Sequence, residues 1–264
     1  MSSFANKWIW ITGASAGLGE AMALALAKEN AHLILSARNE EKLHEVAKKC
    51  GGNGQKHVLP LDLAKNEELA KIVQAALTLA PHIDILINNG GISQRATAVE
   101  TVPEVTRKLF EINFFGTIEL TRLVLPSMIR RKSGHIVAIS SIVGKFGSPK
   151  RSTYSASKHA LHGYFDSLRF EVEDDNIDVT LVCPGFIRTN ISRNALTADG
   201  EPQNTMDDKQ AHGLSPEVFS SRVLRAIRKK KKEVNIGKYE ILGVYLKRFV
   251  PGIFRKILAN SEVT

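Results

Sequence analysis

Cysteine is nearly absent: Cys50 and Cys183 are the only two in 264 residues, and they stand far apart in different contexts. That excludes a disulfide framework and offers no paired metal-ligand spacing, so no metal is expected, and it fits a reducing, cytoplasmic setting. No apolar run reaches the roughly 18 residues of a spanning helix. The apolar stretch in MSSFANKWIWITG is too short for a secretory h-region and runs straight into a strand pattern. Internal repeats are missing, and so is low complexity apart from one short basic run. A formal charge of +9 raises polyanions as partners, but no helix-turn-helix, finger or RNA-binding signature accompanies it. Much of the charge lies late, in Arg225, Arg228, Lys229, Lys230, Lys231 and Lys232, then Lys247, Arg248, Arg255 and Lys256. Nucleic acid is not expected.

What is present is an ordinary globular balance, 43% hydrophobic and 24% charged, enough to bury a core in one α/β domain spanning 1–264. The apolar runs WIWIT, AHLILSA, HVLPLDL, IDILINN, GHIVAIS and IDVTLVC are separated by segments long enough for a helix. Their rhythm predicts βαβ units, and continuous Val/Ile/Leu runs mark strands buried on both faces. The fold class is α/β: a doubly wound parallel sheet in three α/β/α layers. Helices are predicted over 18–28, 40–49, 67–79, 104–131, 152–174 and 216–231, with Asn39 capping the second and Ser215-Pro216 starting the last. Residues 190–214 are polar and aperiodic and read as a substrate loop; 237–264 form a C-terminal lid or subunit contact.

Between the first strand and helix stands Thr12-Gly13-Ala14-Ser15-Ala16-Gly17-Leu18-Gly19. Glycines at 13, 17 and 19 allow a tight turn, and the helix N-terminus behind Ser15 and Leu18 offers free N–H groups and a positive dipole to a pyrophosphate. The second strand ends in Ser36-Ala37-Arg38-Asn39, with no acidic residue to bind the 2'-hydroxyl of NAD. Arg38 could instead neutralise the 2'-phosphate of NADP, with Asn39 beside it. Asp62, next to Leu63 after the third strand, could accept from an adenine amine or cap a helix.

Tyr154 and Lys158 lie four residues apart, on one helix face. A free tyrosine, with a pKa of about 10, is a poor base near neutrality, and an ammonium beside it favours the phenolate. Ser141 follows the strand that ends near Ser140, where strand ends face a ligand crevice, and its hydroxyl could hold a substrate oxygen. His159 and His162 read as solvated or packing histidines, and Cys183 as a small buried hydrophobe.

In this order, the Thr12–Gly19 turn, Asp62, Asn88-Asn89-Gly90-Gly91, Asn113, Ser141, Tyr154, Lys158 and Pro184-Gly185-Phe186-Ile187-Arg188-Thr189 resemble the short-chain dehydrogenase/reductase family over nearly the whole chain. The resemblance implies a Rossmann domain that transfers a hydride between a nicotinamide and a carbonyl or alcohol, NADP(H) preferred and NAD(H) possible. It further implies Tyr154 as acid/base, Lys158 on the nicotinamide ribose, Ser141 on the carbonyl and Asn113 holding a relay water. Asn89 and Gly90 would border the adenosine ribose, and Ile187 and Thr189 the carboxamide. The family's usual alanine is Gly90 here, from which only a change of local rigidity is expected. The same resemblance implies a homodimer or homotetramer through the long helices around Asn113 and Tyr154.

Two rivals stand beside hydride transfer: an NADP(H)-binding sensor or scaffold without turnover, and epimerisation or dehydration on the same fold. The substrate is expected to be an apolar carbonyl or alcohol. The aromatic and cationic residues of 239–258 are expected to cover the pocket or meet a second subunit; weak peripheral contact with a membrane surface is the alternative.

Overall fold

Apolar residues run without a break along the strands because alternate side chains enter two different cores. In β1 (Trp8–Thr12), Ile9 and Ile11 face one side and Trp8 and Trp10 the other. The same alternation holds in β2 (His32–Ser36), where Leu33 and Leu35 oppose Ile34, and in β4 (Ile85–Asn88), where Ile87 opposes Leu86. The computed structural model describes residues 4–259; residues 1–3 and the last five of the expected C-terminal segment, 260–264, lie outside the described residues.

With β3 (Lys56–Val58), β5 (Gly134–Ile139), β6 (Ile177–Pro184) and β7 (Glu233–Ile236), the strands form one parallel sheet in the order β3-β2-β1-β4-β5-β6-β7. The chain winds outward from β1 to β3, then returns to place β4 against β1. That reversal opens a crevice at the carboxyl ends of β1 and β4. On one face lie α1 (Gly17–Ala27), α2 (Glu40–Lys49) and α8 (Pro216–Arg228), burying Met22, Leu26, Leu43, Phe219 and Val223. On the other lie α3 (Asn66–Leu79), α5 (Gly116–Arg131) and α6 (Ser152–Glu171), burying Leu69, Val73, Leu120, Val124 and Phe165. Each fully buried large side chain, such as Phe165 or Leu26, contributes about 1.5–3 kcal/mol. Trp10 is buried whole because its indole N–H finds Ser36 Oγ at 2.8 Å. Asn39 Oδ1 accepts from Lys42 N at 2.9 Å and Ser215 Oγ from Val218 N at 3.3 Å, so both expected caps form.

Several elements differ from the sequence reading. The expected helix over 104–131 is α4 (Pro103–Phe110), a π segment (Glu111–Phe115) and α5 in succession. Asn113 is the cause: its amide reaches sideways to the backbone of Ile92, which the wider π turn permits, and Thr117 Oγ1 lies 3.5 Å from the displaced Ile112 carbonyl. The third strand stops early at Val58, because Pro60 has no N–H for the ladder, although Leu59 N and Leu61 N still reach Leu35 O and Ala37 O. The helix from 152 ends at Glu171 and gives way to a 3-10 turn over Glu173–Asp175, and the last predicted helix ends at Arg228. β7 went unpredicted, since EVNI is short and half polar. The 190–214 segment is ordered, with a short helix α7 (Asp208–Ala211) and buried Ser192, Ala195, Leu196, Asp207 and Gln210. Beyond β7 come a 3-10 turn (Tyr239–Ile241), α9 (Leu242–Phe249) and α10 (Pro251–Ala259). No helix among the described residues is long and apolar enough to cross a membrane.

Candidate active site

The β1–α1 turn leaves backbone donors open. Gly13 and Gly17 take φ of 64° and 60°, and a Cβ on Gly19 would sit 2.2 Å from Gly13 O, so the helix closes on the turn only with glycine there. Ala16 precedes α1 with no side-chain cap, which leaves the first-turn N–H groups beside a cleft lined by Ser15, Gly17 and Leu18. Behind the turn, Thr12 Oγ1 accepts from Asn89 N at 3.0 Å and Gly90 N at 2.9 Å, while Asn89 Nδ2 donates to Thr12 O at 2.9 Å and Gly13 O at 3.2 Å. Asn89 therefore braces the turn as well as bordering the cleft.

The cleft has a volume of about 1710 Å³ and continues from this turn along the strand ends. Arg38, exposed at one end, makes no hydrogen bond or ion pair among the described residues, and Lys42 stands on the same wall. Asn39, Asp62, Leu63, Asn89 and Gly90 also line it. Asp62 does not cap α3, whose N-cap is Lys65; its carboxylate accepts from Ala64 N at 3.0 Å in a local turn.

At the other end the structure brings Tyr154, Ser141 and Lys158 into one wall. Ser141 follows β5, its Oγ accepting from Val143 N at 3.3 Å and donating to Pro184 O at 3.4 Å. Burial pushes the Tyr154 phenol above its ordinary pKa; a hydrogen bond with Ser141 and then the charges of Arg151 and Arg95 pull it back. Arg151 and Arg95 thus bring positive charge to Tyr154 that the sequence reading did not place there. Lys158 Nζ donates to Ile139 O at 2.9 Å and lies 5.9 Å from the Tyr154 ring centre. Burial lowers the Lys158 ammonium to about 8. Asn113 is fully buried, its Oδ1 accepting from Ile92 N at 2.8 Å and its Nδ2 donating to Ile92 O at 3.0 Å and Ser157 Oγ at 3.1 Å. What it does here is clamp the π segment to the chain after Gly91. A Cβ on Gly91 would fall 3.0 Å from Asn113 Oδ1 and 3.4 Å from Lys158 Nζ, so glycine keeps the space between them.

The 7–200 stretch matches the profile of the short chain dehydrogenase family. The chain belongs to that family. Dehydrogenase/reductase SDR family member 7B of Mus musculus is 43% identical over 261 residues, which is 97% of this chain and 81% of the relative. Among solved structures, a short chain dehydrogenase/reductase from Burkholderia phymatum in complex with NAD superposes with a TM-score of 0.85 at 21% identity, covering 96% of both chains. One from Burkholderia cenocepacia in complex with NADP gives 0.82 at 24% identity, covering 98% of this chain and all of that one. These structures share the fold: a parallel sheet flanked by helices, of Rossmann type.

Within this short-chain dehydrogenase, the glycine at 90 has a local reason. Its missing methyl would meet Leu63 Cδ1 at 2.7 Å, so Leu63 fills the space that the family's alanine would take. Ile187 is buried below the cleft, and Gln210 Nε2 donates to the Ile187 carbonyl and reaches Thr189 Oγ1 at 3.4 Å. Sequence reading missed Gln210. It also missed a buried ion cluster, in which Asp207 Oδ2 accepts from Arg95 Nε at 2.9 Å and from Arg151 Nη2 at 3.1 Å. Burial raises the Asp207 pKa, but hydrogen bonds and charge from Arg95, with Gln203 and Arg151, outweigh it and hold the carboxyl below its ordinary value. Burial and the like charge of Arg95 bring Arg151 down to about 10, so it stays a cation near neutrality. Arg151, three residues before Tyr154, was findable from its nearness in sequence; Asp207 and Gln210 were not, because their partners are far away in sequence. Cys183 is buried, as expected, and burial pushes its thiol up to about 12. His162 and Glu233 bring ligand atoms within 4.8 Å of it, but the Lys145 ammonium already pairs with that carboxylate.

Proposed function

We propose that the chain is an NADP(H)-dependent oxidoreductase acting on an apolar carbonyl or secondary alcohol, with Tyr154 as the acid/base. One observation carries this reading: a single cleft joins an uncapped helix N-terminus and Arg38, unpaired among the described residues, at one end to the Tyr154–Ser141 pair at the other. The residues fit a dinucleotide. The glycine cradle that a Cβ would fill suits the pyrophosphate, and Arg38 with Lys42 suits a 2'-phosphate where no acidic residue stands for a 2'-hydroxyl. The NAD and NADP complexes of the two bacterial structures support the cofactor class.

When bound, the nicotinamide supplies or takes the hydride. In reduction, the Ser141 hydroxyl holds the carbonyl oxygen and Tyr154 gives its phenolic proton to the oxygen as negative charge builds there. The phenolate left behind is stabilised by Ser141 and by the guanidinium charges of Arg151 and Arg95. Lys158, held by Ile139 O, sits on the same helix face to bind the ribose and add its own charge. Oxidation runs the same proton path in reverse. Val143, Phe146, Leu196, Leu246 and Phe254 give the substrate end an apolar wall, which supports an apolar substrate. Phe115, 46% exposed beside the Phe110–Phe114 ring pair, supports association through α4, α5 and α6.

The reading is tested by titrating wild type and Arg38→Ala with NADPH and NADH, then assaying a panel of apolar ketones and aldehydes. NADPH is expected to bind more tightly, and Arg38→Ala to weaken NADPH about tenfold or more while leaving NADH unchanged. Equal loss for both cofactors removes the NADP preference; binding without turnover across the panel returns the sensor reading.

A further inference from the structure

α9 and α10 each carry exposed apolar side chains that nothing in the described chain covers. On α9, Leu242, Tyr245 and Phe249 recur at helical spacing; on α10, Ile253 and Ile257 do the same. All five are exposed, Phe249 by 75%. The inner faces are used differently: the Phe254 ring stands edge-on to Phe146 with centres 5.0 Å apart, and Gly243 passes close to both rings. The pair of helices is therefore fixed to the body of the protein while its apolar side points outward.

The charge on this surface has one sign. Lys247, Arg248, Arg255 and Lys256 are all exposed, and no aspartate or glutamate occurs from Leu242 through Ala259. A second copy in a two-fold contact would bring the same patch against itself, four cations against four, which disfavours a self-association face. An amphipathic pair with apolar and tyrosine side chains outward and cations around them has the pattern of a helix lying in the interface of a bilayer. Leu242 and Ile257 belong at once to this face and to the rim of the cleft, so the mouth of the site opens beside it.

We propose that α9 and α10 dock the protein onto an anionic lipid surface, with the mouth of the cleft held at that surface. Phe249 and Ile253 enter the headgroup region, and Lys247, Arg248, Arg255 and Lys256 meet lipid phosphates and carboxylates. Docking itself is independent of the catalytic reading; only the delivery of an apolar substrate along this face rests on that reading.

The test is flotation with vesicles of phosphatidylcholine alone and of phosphatidylcholine with phosphatidylserine. Wild type is compared with Phe249→Ser/Ile253→Ser and with Lys247→Gln/Arg248→Gln, each checked for folding by circular dichroism and for size by light scattering. Neither Phe249 nor Ile253 lines the cleft. Wild type is expected to bind vesicles containing phosphatidylserine at least about tenfold more tightly than phosphatidylcholine alone, and less in high salt. The apolar variant loses binding to both vesicles, and the charge variant loses the preference. Absence of flotation, or binding indifferent to both variants, overturns the proposal. So does a dimer that the apolar variant splits, which would make this face a subunit contact.

Discussion

Arg151, the residue just before α6, precedes Tyr154 by three positions, and with Arg95 it supplies the nearby positive charge that opposes the cost of burying a phenolate. Alcohol oxidation needs Tyr154 deprotonated, so its rate rises with pH through the tyrosine's pKa. Replacing Arg151 by Gln removes one charge that lowers this pKa, and the rising limb moves to higher pH, each unit of displacement costing about a factor of ten in rate on the limb. Arg151→Lys keeps the charge and is expected to restore much of the limb. A pH profile taken with saturating cofactor checks both variants, and a limb unmoved in Arg151→Gln would leave the charge to Arg95 and Lys158. At this scale the sequence was readable wherever a residue acts through its immediate neighbours: the glycines of the β1–α1 turn, the Asn39 cap and the Tyr154–Lys158 spacing. It was opaque where one side chain does a second task. Asn113 stood out from sequence, yet its clamp on Ile92 depends on a chain segment 21 positions away.

The 190–214 segment is a loop by composition and a fixed wall by contact. Asp207 joins it to Arg95 after β4 and to Arg151 at the start of α6, and Gln210 ties it to Ile187. Asp207→Asn leaves two buried guanidiniums without their carboxylate, a change that costs on the order of 3–5 kcal/mol when such a pair is broken. The expected outcome is a lowered melting temperature and limited proteolysis within 190–214, while the sheet remains intact; a variant cut no faster than wild type would mean that the loop is held by other contacts. None of this was legible in a polar, aperiodic stretch, because Asp207 pairs with residues more than fifty positions away and Gln210 with one 23 positions away. The π segment was equally hidden, since one wider turn barely disturbs a 3.6-residue pattern, and β7 was too short and too polar to announce itself. The other six strands were plain from their apolar runs.

Across the whole molecule, two buried histidines set an acid limit. Burial, the largest influence on each, lowers His135 and His162 to about 4, so both are neutral in the folded protein and accept protons more readily once unfolded. Between the ordinary histidine value near 6.5 and about 4 the unfolded chain therefore binds more protons, and stability falls as pH drops through that window, by up to about 1.4 kcal/mol per unit for each. Thermal melts from neutrality down to pH 4 check this, and His135→Gln is expected to flatten part of the slope. The global architecture was the most legible part of the sequence, because a parallel sheet covered on both faces demands apolar strands alternating with helices. The charge pattern around Tyr154 was the least, because folding assembles it from three separate segments.

The role of Tyr154 as acid/base is tested most directly by the rate at which bound NADPH is oxidised by an apolar ketone in wild type and in Tyr154→Phe. NADPH affinity is expected to stay unchanged while turnover falls by about 10²–10⁴-fold, the range for loss of a general acid. Turnover that survives the substitution would contradict that role.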